Sequence, residues 1–131
     1  MKHLTELQIE ELTLRLTERM RFLAAQVREE LAASDTQHYR DLAGAVTDTA
    51  DEALASALVD VDTEIIDRHI TELRDIEAAR GRMQNKTYGI CIDCGDAVVY
   101  ERLVAYPAAK RCVRCQEQRE HIYAHQRRST L

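Results

Sequence analysis

Tyr88-Gly89-Ile90-Cys91-Ile92-Asp93-Cys94-Gly95, followed by Lys110-Arg111-Cys112-Val113-Arg114-Cys115, is the stretch whose reading decides the fold. Its cysteines are spaced C-x2-C-x17-C-x2-C, inside the window of a four-thiolate zinc site. Each Cys-x-x-Cys unit can turn two sulfurs onto one ion, and Gly95 supplies the permissive backbone that a tight knuckle needs after its second ligand. Cys91, Cys94, Cys112 and Cys115 are therefore read as the ligands of one Zn2+, held at about 2.3 Å per sulfur. Four thiolates fill every position of a tetrahedron, which makes the ion structural and leaves no place for water or substrate. A module of roughly 40 residues, with one short apolar strand around Val98-Val99, cannot build a stable core unaided, so the metal supplies its folding energy. Lys110, Arg111 and Arg114 are expected to lower the thiol pKa values. The competing reading is a thiol–disulfide redox site, but that needs a βαβ framework which the sequence does not offer.

Outward from this stretch the chain changes character. Residues 1–85 carry 10 basic and 18 acidic side chains, a net of -8, while 86–131 carry 8 and 5, a net of +3. No Gly/Ser/Pro-rich linker separates the two parts, which predicts a continuous helix running into the metal module. Upstream, Ile9, Leu12, Leu16, Met20, Leu23, Val27 and Leu31 recur at gaps of three and four, the stripe of an amphipathic helix. The stripe falters at Ser34-Asp35 and resumes weakly through Tyr39, Leu42 and Val46, which predicts a helix with a weak point near residue 35. A second stripe runs through Leu54, Leu58, Val61, Ile65, Ile70, Leu73, Ile76 and Met83.

These patterns predict a mainly α protein: a long antiparallel coiled-coil hairpin followed by a small four-Cys zinc-finger module with a C-terminal helix. Residues 1–85 are assigned to the hairpin, with an acidic tip near 47–53, and 86–131 to the zinc-finger module. Residues 53–84 as one helix would span roughly 48 Å at ~1.5 Å per residue. Gly81 is the expected junction between rod and finger. The alternative is that the stripes belong to an ordinary helical bundle or a dimer interface.

At 131 residues the chain fits one domain, or one domain with an arm, and excludes a large multidomain enzyme. Aromatics are 5% of residues, with no Trp and one Phe, so little is available to fill a thick core. A net charge of -5 disfavours non-specific binding to a phosphate backbone. Met1-Lys2-His3-Leu4-Thr5-Glu6 has neither the apolar core of a signal peptide nor the composition of a transit peptide. Apolar runs such as Ala97-Val98-Val99-Tyr100 are too short to span a bilayer. A cytoplasmic protein is expected, in which reduced thiols bind metal. His121 and His125 stand at i and i+4 near the C-terminus, and without a third ligand they read as a solvated helix face.

Between the stripes lies Val46-Thr47-Asp48-Thr49-Ala50-Asp51-Glu52-Ala53. One reading is local: Thr49 with Glu52 forms a capping box, and Asp48 and Asp51 suit the positive end of the following helix. The other is functional, since two exposed carboxylates on a hairpin tip can meet a Mg2+ hydration shell or basic groups in a partner's cleft.

From about residue 40 to Gln116 the arrangement resembles the DksA/TraR-type transcription factors. The likeness rests on Asp48-x-x-Asp51-x-Ala53, on a long helix ending in Tyr88-Gly89-Ile90-Cys91, and on a finger with Arg102-Leu103, Pro107 and Cys112-x-x-Cys115-Gln116. The resemblance implies a bacterial regulator that binds RNA polymerase rather than specific DNA. Members insert the hairpin into the polymerase's secondary channel, so Asp48, Asp51 and Ala53 would sit near the catalytic Mg2+, altering the stability of open promoter complexes. It also implies that responders to the alarmone ppGpp use basic residues on the second long helix and just after the last cysteine. Here those places hold Asp75 and Gln116, with Arg68 the one basic residue retained, so weak or absent ppGpp synergy is expected. The segment before the tip is shorter than in the longest members.

The expected protein is a monomer with no membrane association, and it is not an enzyme: no nucleophile–base pair, phosphate-binding Gly loop or open metal position can be found. The alternative function is a zinc-ribbon adaptor that binds nucleic acid or protein through its basic end, with the hairpin as a dimerisation element.

Overall fold

The computed structural model describes residues 1–58 and 64–129, and at 64–67 and 125–129 it describes the backbone alone. Six helices follow one another among these residues: α1 (Glu6–Ala32), α2 (Gln37–Val46), α3 (Asp51–Ala57), α4 (Glu64–Gln84), α5 (Tyr100–Ala105) and α6 (Val113–Ser129). α1 begins at a capping box in which the Thr5 hydroxyl accepts from the Gln8 N–H and the Gln8 side chain accepts from the Thr5 N–H. Its buried face is the stripe Leu12, Leu16, Met20, Leu23, Val27 and Leu31, joined by Ala24.

α1 and α4 run antiparallel. Contacts step down α4 as they climb α1: Thr13 with Met83, Arg19 with Glu72 at 2.7 Å, and Glu30 with His69 at 2.9 Å. Ile70, Leu73, Ile76 and Ala79 close the seam from the α4 side.

The second limb is not the single helix over 53–84 that the periodicity predicts. α3 ends at Ala57, Leu58 leaves the helical region at φ -110 and ψ 27, and Glu64–Gln84 is a separate helix, α4. α3 packs back on both α1 and α4, and α2 folds back on α1, so the far end is a small bundle rather than a bare hairpin. The physical cause is burial: in the folded-back arrangement Val46, Leu54, Ala55 and Leu58 are all buried. The same logic turns the weak point near residue 35 into a full break: α1 stops at Ala32 and α2 starts at Gln37. Val61, and the side chain of Ile65, lie outside the described residues.

Gly81 is inside α4, and the helix stops three residues further on. The stop is a Schellman motif, in which the Thr87 N–H bonds the Arg82 carbonyl at 2.8 Å and the Lys86 N–H bonds that of Met83 at 3.2 Å. Lys86 occupies the left-handed position at φ 60, where glycine is the unstrained residue. Lys86→Gly is therefore expected to stabilise the zinc-loaded protein by about 1 kcal/mol. The readout is a higher denaturant midpoint; an unchanged or lowered one would show that the lysine side chain contributes more than its backbone costs.

One continuous core joins the helices to the cysteine module, from Leu4 through Tyr88, Val98 and Leu103 to Cys115. The N-terminal segment docks on that module, with His3 Nε2 2.9 Å from the Val98 carbonyl oxygen. Further along, the Tyr100 hydroxyl donates to Glu11 at 2.6 Å, and the Tyr88 hydroxyl, in the buried core, donates to the Pro107 carbonyl at 2.6 Å. Burial pushes the Tyr88 phenol up to about 12, which keeps it a donor at any physiological pH. The expected strand at Val98-Val99 does not form. The only pairing among the described residues is an isolated antiparallel bridge between Ile90 and Ala97, because Val99 already caps α5 and the chain turns into that helix.

Candidate metal centre and acidic turn

The first knuckle is a turn over Cys91–Cys94. It is closed by the Gly95 N–H on the Cys91 carbonyl at 3.0 Å and by the Cys91 N–H on the Asp96 carbonyl at 2.8 Å. Gly95 sits at φ 78, the left-handed conformation expected of it. The second knuckle is the start of α6: Cys112 precedes the helix and Cys115 lies in its first turn. The Ile92 N–H reaches the Lys110 carbonyl at 2.9 Å, and the buried Arg111 donates from Nε to Asp93 at 2.7 Å, so backbone and side chain both tie one knuckle to the other.

The four Sγ atoms lie within 4.8 Å of one another, and Cys94 and Cys112 stand 3.8 Å apart. A tetrahedron with Zn–S bonds of ~2.3 Å has edges of about 3.8 Å, so the sulfur cage fits zinc. Burial works against the Cys91 thiolate, but the backbone N–H groups of Cys94, Cys112 and Asp93 outweigh it and bring that thiol down to about 6. Contact with the Cys112 sulfur, and then burial, hold Cys115 up at about 12. Cys91 is thus ionised ahead of Cys94 and Cys115. The basic neighbours share this work unequally. Lys110 turns to Asp75 at 3.6 Å, Arg111 turns to Asp93, and Arg114 stands beside the Cys94 sulfur, which raises its own pKa.

A scan against protein-family models matches residues 86–121 to the prokaryotic DksA/TraR C4-type zinc finger. The chain carries a DksA/TraR-type zinc finger. Its four cysteines hold one structural zinc ion. An uncharacterized protein of Aquifex aeolicus (strain VF5) is 39% identical over 51 residues, which is 39% of this chain and 35% of that relative. The chain therefore matches about a third of the relative's length. No solved structure matches the chain. No helix of the described residues is long and apolar enough to cross a membrane.

The other residues singled out in the sequence lie away from the DksA/TraR-type finger. Asp48, Glu52 and Ala53 are exposed at the turn between α2 and α3, and Asp51 is the partly buried first residue of α3. The capping box predicted for Thr49 and Glu52 is absent: Ala50 is the N-cap residue and makes no side-chain cap. The turn is held instead from α1 by Arg28, which bonds Asp51 at 2.6 Å. Arg28 is 17 residues along α1 from Glu11, where the finger's Tyr100 docks, and this puts the turn roughly 26 Å down the α1 axis.

Arg68 is exposed on α4. Asp75 and Gln116 both line a cleft of about 460 Å³ between α4, α5 and α6, together with Tyr106, Lys110 and Arg119. In that cleft Asp75 meets Lys110 and the Tyr106 hydroxyl, while the Gln116 amide donates to Glu120 at 3.0 Å. His121 is exposed on α6, and the side chain of His125 lies outside the described residues.

Proposed function

We propose that the protein is a monomeric cytoplasmic transcription regulator that binds RNA polymerase directly, presenting the turn at Asp48, Asp51 and Ala53 to the secondary channel and altering open-complex stability. The observation that carries this reading is the placement of an exposed acidic turn at the end of the α1/α4 pair remote from the zinc finger. The finger family and the split into an acidic shaft and a basic metal-bearing end support it. The folded-back α2 and α3 thicken the distal end, so the receiving cleft must admit a small helical bundle. On this reading the protein is not an enzyme, because four thiolates leave the zinc no open position.

In vitro transcription with purified polymerase tests the proposal. The paired change Asp48→Asn with Asp51→Asn is expected to abolish the effect on stable-RNA and amino-acid-biosynthesis promoters, while polymerase binding, zinc content and helicity persist. Regulation equal to the parent would reduce the turn to a structural element. We expect ppGpp to alter the effect little in the same assay, since Asp75 and Gln116 stand where the resemblance implies basic residues. Arg68 alone could then supply only a weak residual alarmone contact.

One observation favours the adaptor reading. α6 leaves Ile122 and Tyr123 58% and 66% exposed, and Arg119 and Tyr123 border a groove of about 510 Å³ on that helix. Salt-dependent retention of DNA by the zinc-loaded chain, or a dimeric mass in solution, would support that alternative over the polymerase reading.

A further inference from the structure

The acidic turn lacks a cap of its own, and one guanidinium from another helix takes over that work. Arg28, near the end of α1, bonds the Asp51 carboxylate through Nη1 at 2.6 Å and the Thr49 carbonyl through Nη2 at 2.5 Å. Both side chains are partly withdrawn from water, at 25% and 30% exposure. The Arg28 Nε is buried without a hydrogen-bond partner. An unsatisfied buried donor lowers stability, so a residue serving stability alone would be better replaced by an apolar side chain. What the guanidinium provides is geometry: its planar fork grips residues 49 and 51 together and sets the conformation of the peptide between them. Asp48 and Glu52, on either side of the gripped segment, point their charge into solvent.

We infer that Arg28 is a positioning residue that neutralises Asp51 and orients the turn, so that Asp48, with Glu52 beside it, carries the charge offered to the partner. The inference rests on the polymerase reading for its functional half and on the ion pair alone for its structural half. Asp51 is then an anchor, and the two aspartates of the motif have different roles.

Two measurements on the zinc-loaded full chain test this. In denaturant unfolding, Arg28→Met and Asp51→Asn should be non-additive, with a coupling of roughly fivefold in the unfolding equilibrium constant. Arg28→Met and Asp48→Asn should be additive. Additivity of the first pair overturns the structural half. In transcription, Arg28→Met should raise the concentration needed for half-maximal effect about tenfold with zinc content unchanged, and Arg28→Lys should restore part of that loss. Asp48→Asn should be at least as damaging, and adding Arg28→Met to it should lower regulation little further. If Asp51→Asn abolishes regulation while Arg28→Met regulates like the parent, Asp51 acts directly and the assignment falls. If the parent chain has no effect on transcription, the polymerase reading fails, and the unfolding cycle still decides the ion pair.

Discussion

Stripping the zinc with a strong chelator is expected to unfold residues 86–121 and release one ion per chain, while much of the helical signal from α1 to α4 survives. The finger's own apolar contribution is small, consisting of Tyr88, Val98 and Leu103 with the two alanines Ala108 and Ala109. Apart from the start of α6, its elements are short: a six-residue helix, one isolated bridge and two knuckles. Binding energy for structural zinc is on the order of 10 kcal/mol near neutral pH, larger than this core can supply. Cys91→Ser, or Cys115→Ser at the helical knuckle, should act in the same direction, since either removes a ligand from the buried side of the cage. A purified reduced protein that contains no zinc, and whose fold ignores the chelator, would sink the assignment.

The pH dependence follows from the ligands. Because the finger is unfolded without its metal, zinc binds thiols that carry protons at pH 7 and must displace them. Zinc uptake should therefore release protons at pH 7, with affinity falling steeply in acid. Calorimetry in buffers of different ionisation enthalpy reads this directly. Zinc affinity that stays the same between about pH 8 and about pH 5 would show that the cysteines are not its ligands.

Gly89→Ala is expected to cost the zinc-loaded protein roughly 2–4 kcal/mol, the sum of a left-handed backbone penalty and a steric conflict. Gly89 stands at φ 79, and a Cβ there would lie 3.0 Å from His3 Cε1 and 3.2 Å from Leu4 Cδ1. Neither neighbour is free to retreat, because His3 is bonded to the Val98 carbonyl and Leu4 is buried in the core. The Gly89 carbonyl also accepts from the Val98 N–H at 2.7 Å, so a shift of this backbone disturbs the finger's single bridge. A chain lacking residues 1–4 separates the two contributions: the substitution should then cost only the backbone part, about 1–2 kcal/mol. Equal cost in both backgrounds would mean that the N-terminal segment does not pack on Gly89.

Several features are legible without any structure because they depend on local spacing. The four cysteines announce a metal site, since two Cys-x-x-Cys units at this separation match the spacing of a four-thiolate zinc site. The left-handed glycine after Cys94 follows from the tightness of the knuckle. The buried stripe of α1 is also readable, residue by residue, from its period of three and four. The second stripe misled. Its period of three and four continues past Leu58, so periodicity reports a single helix, whereas Leu58 itself leaves the helical region. One reading of the turn is a capping box at Thr49 and Glu52, where none forms, while the same spacing at Thr5 and Gln8 does form one. Both segments satisfy the same short pattern, and only the chain's path distinguishes them.

What the sequence by itself determined, then, is chemistry fixed by near neighbours: a four-thiolate zinc cage, helices with one apolar face, and an acidic stretch between them. What only the tertiary structure decided is how distant residues meet. The docking of His3 and Leu4 against Gly89 and the hold of Arg28 on Asp51 each join positions more than 20 residues apart in the chain, and the fold-back packs α2 and α3 on α1. Side chains of this kind have many possible partners when the chain is read in one dimension. The choice among them is made by burial, because the arrangement that removes Val46, Leu54 and Leu58 from water is the one that brings Asp51 to Arg28.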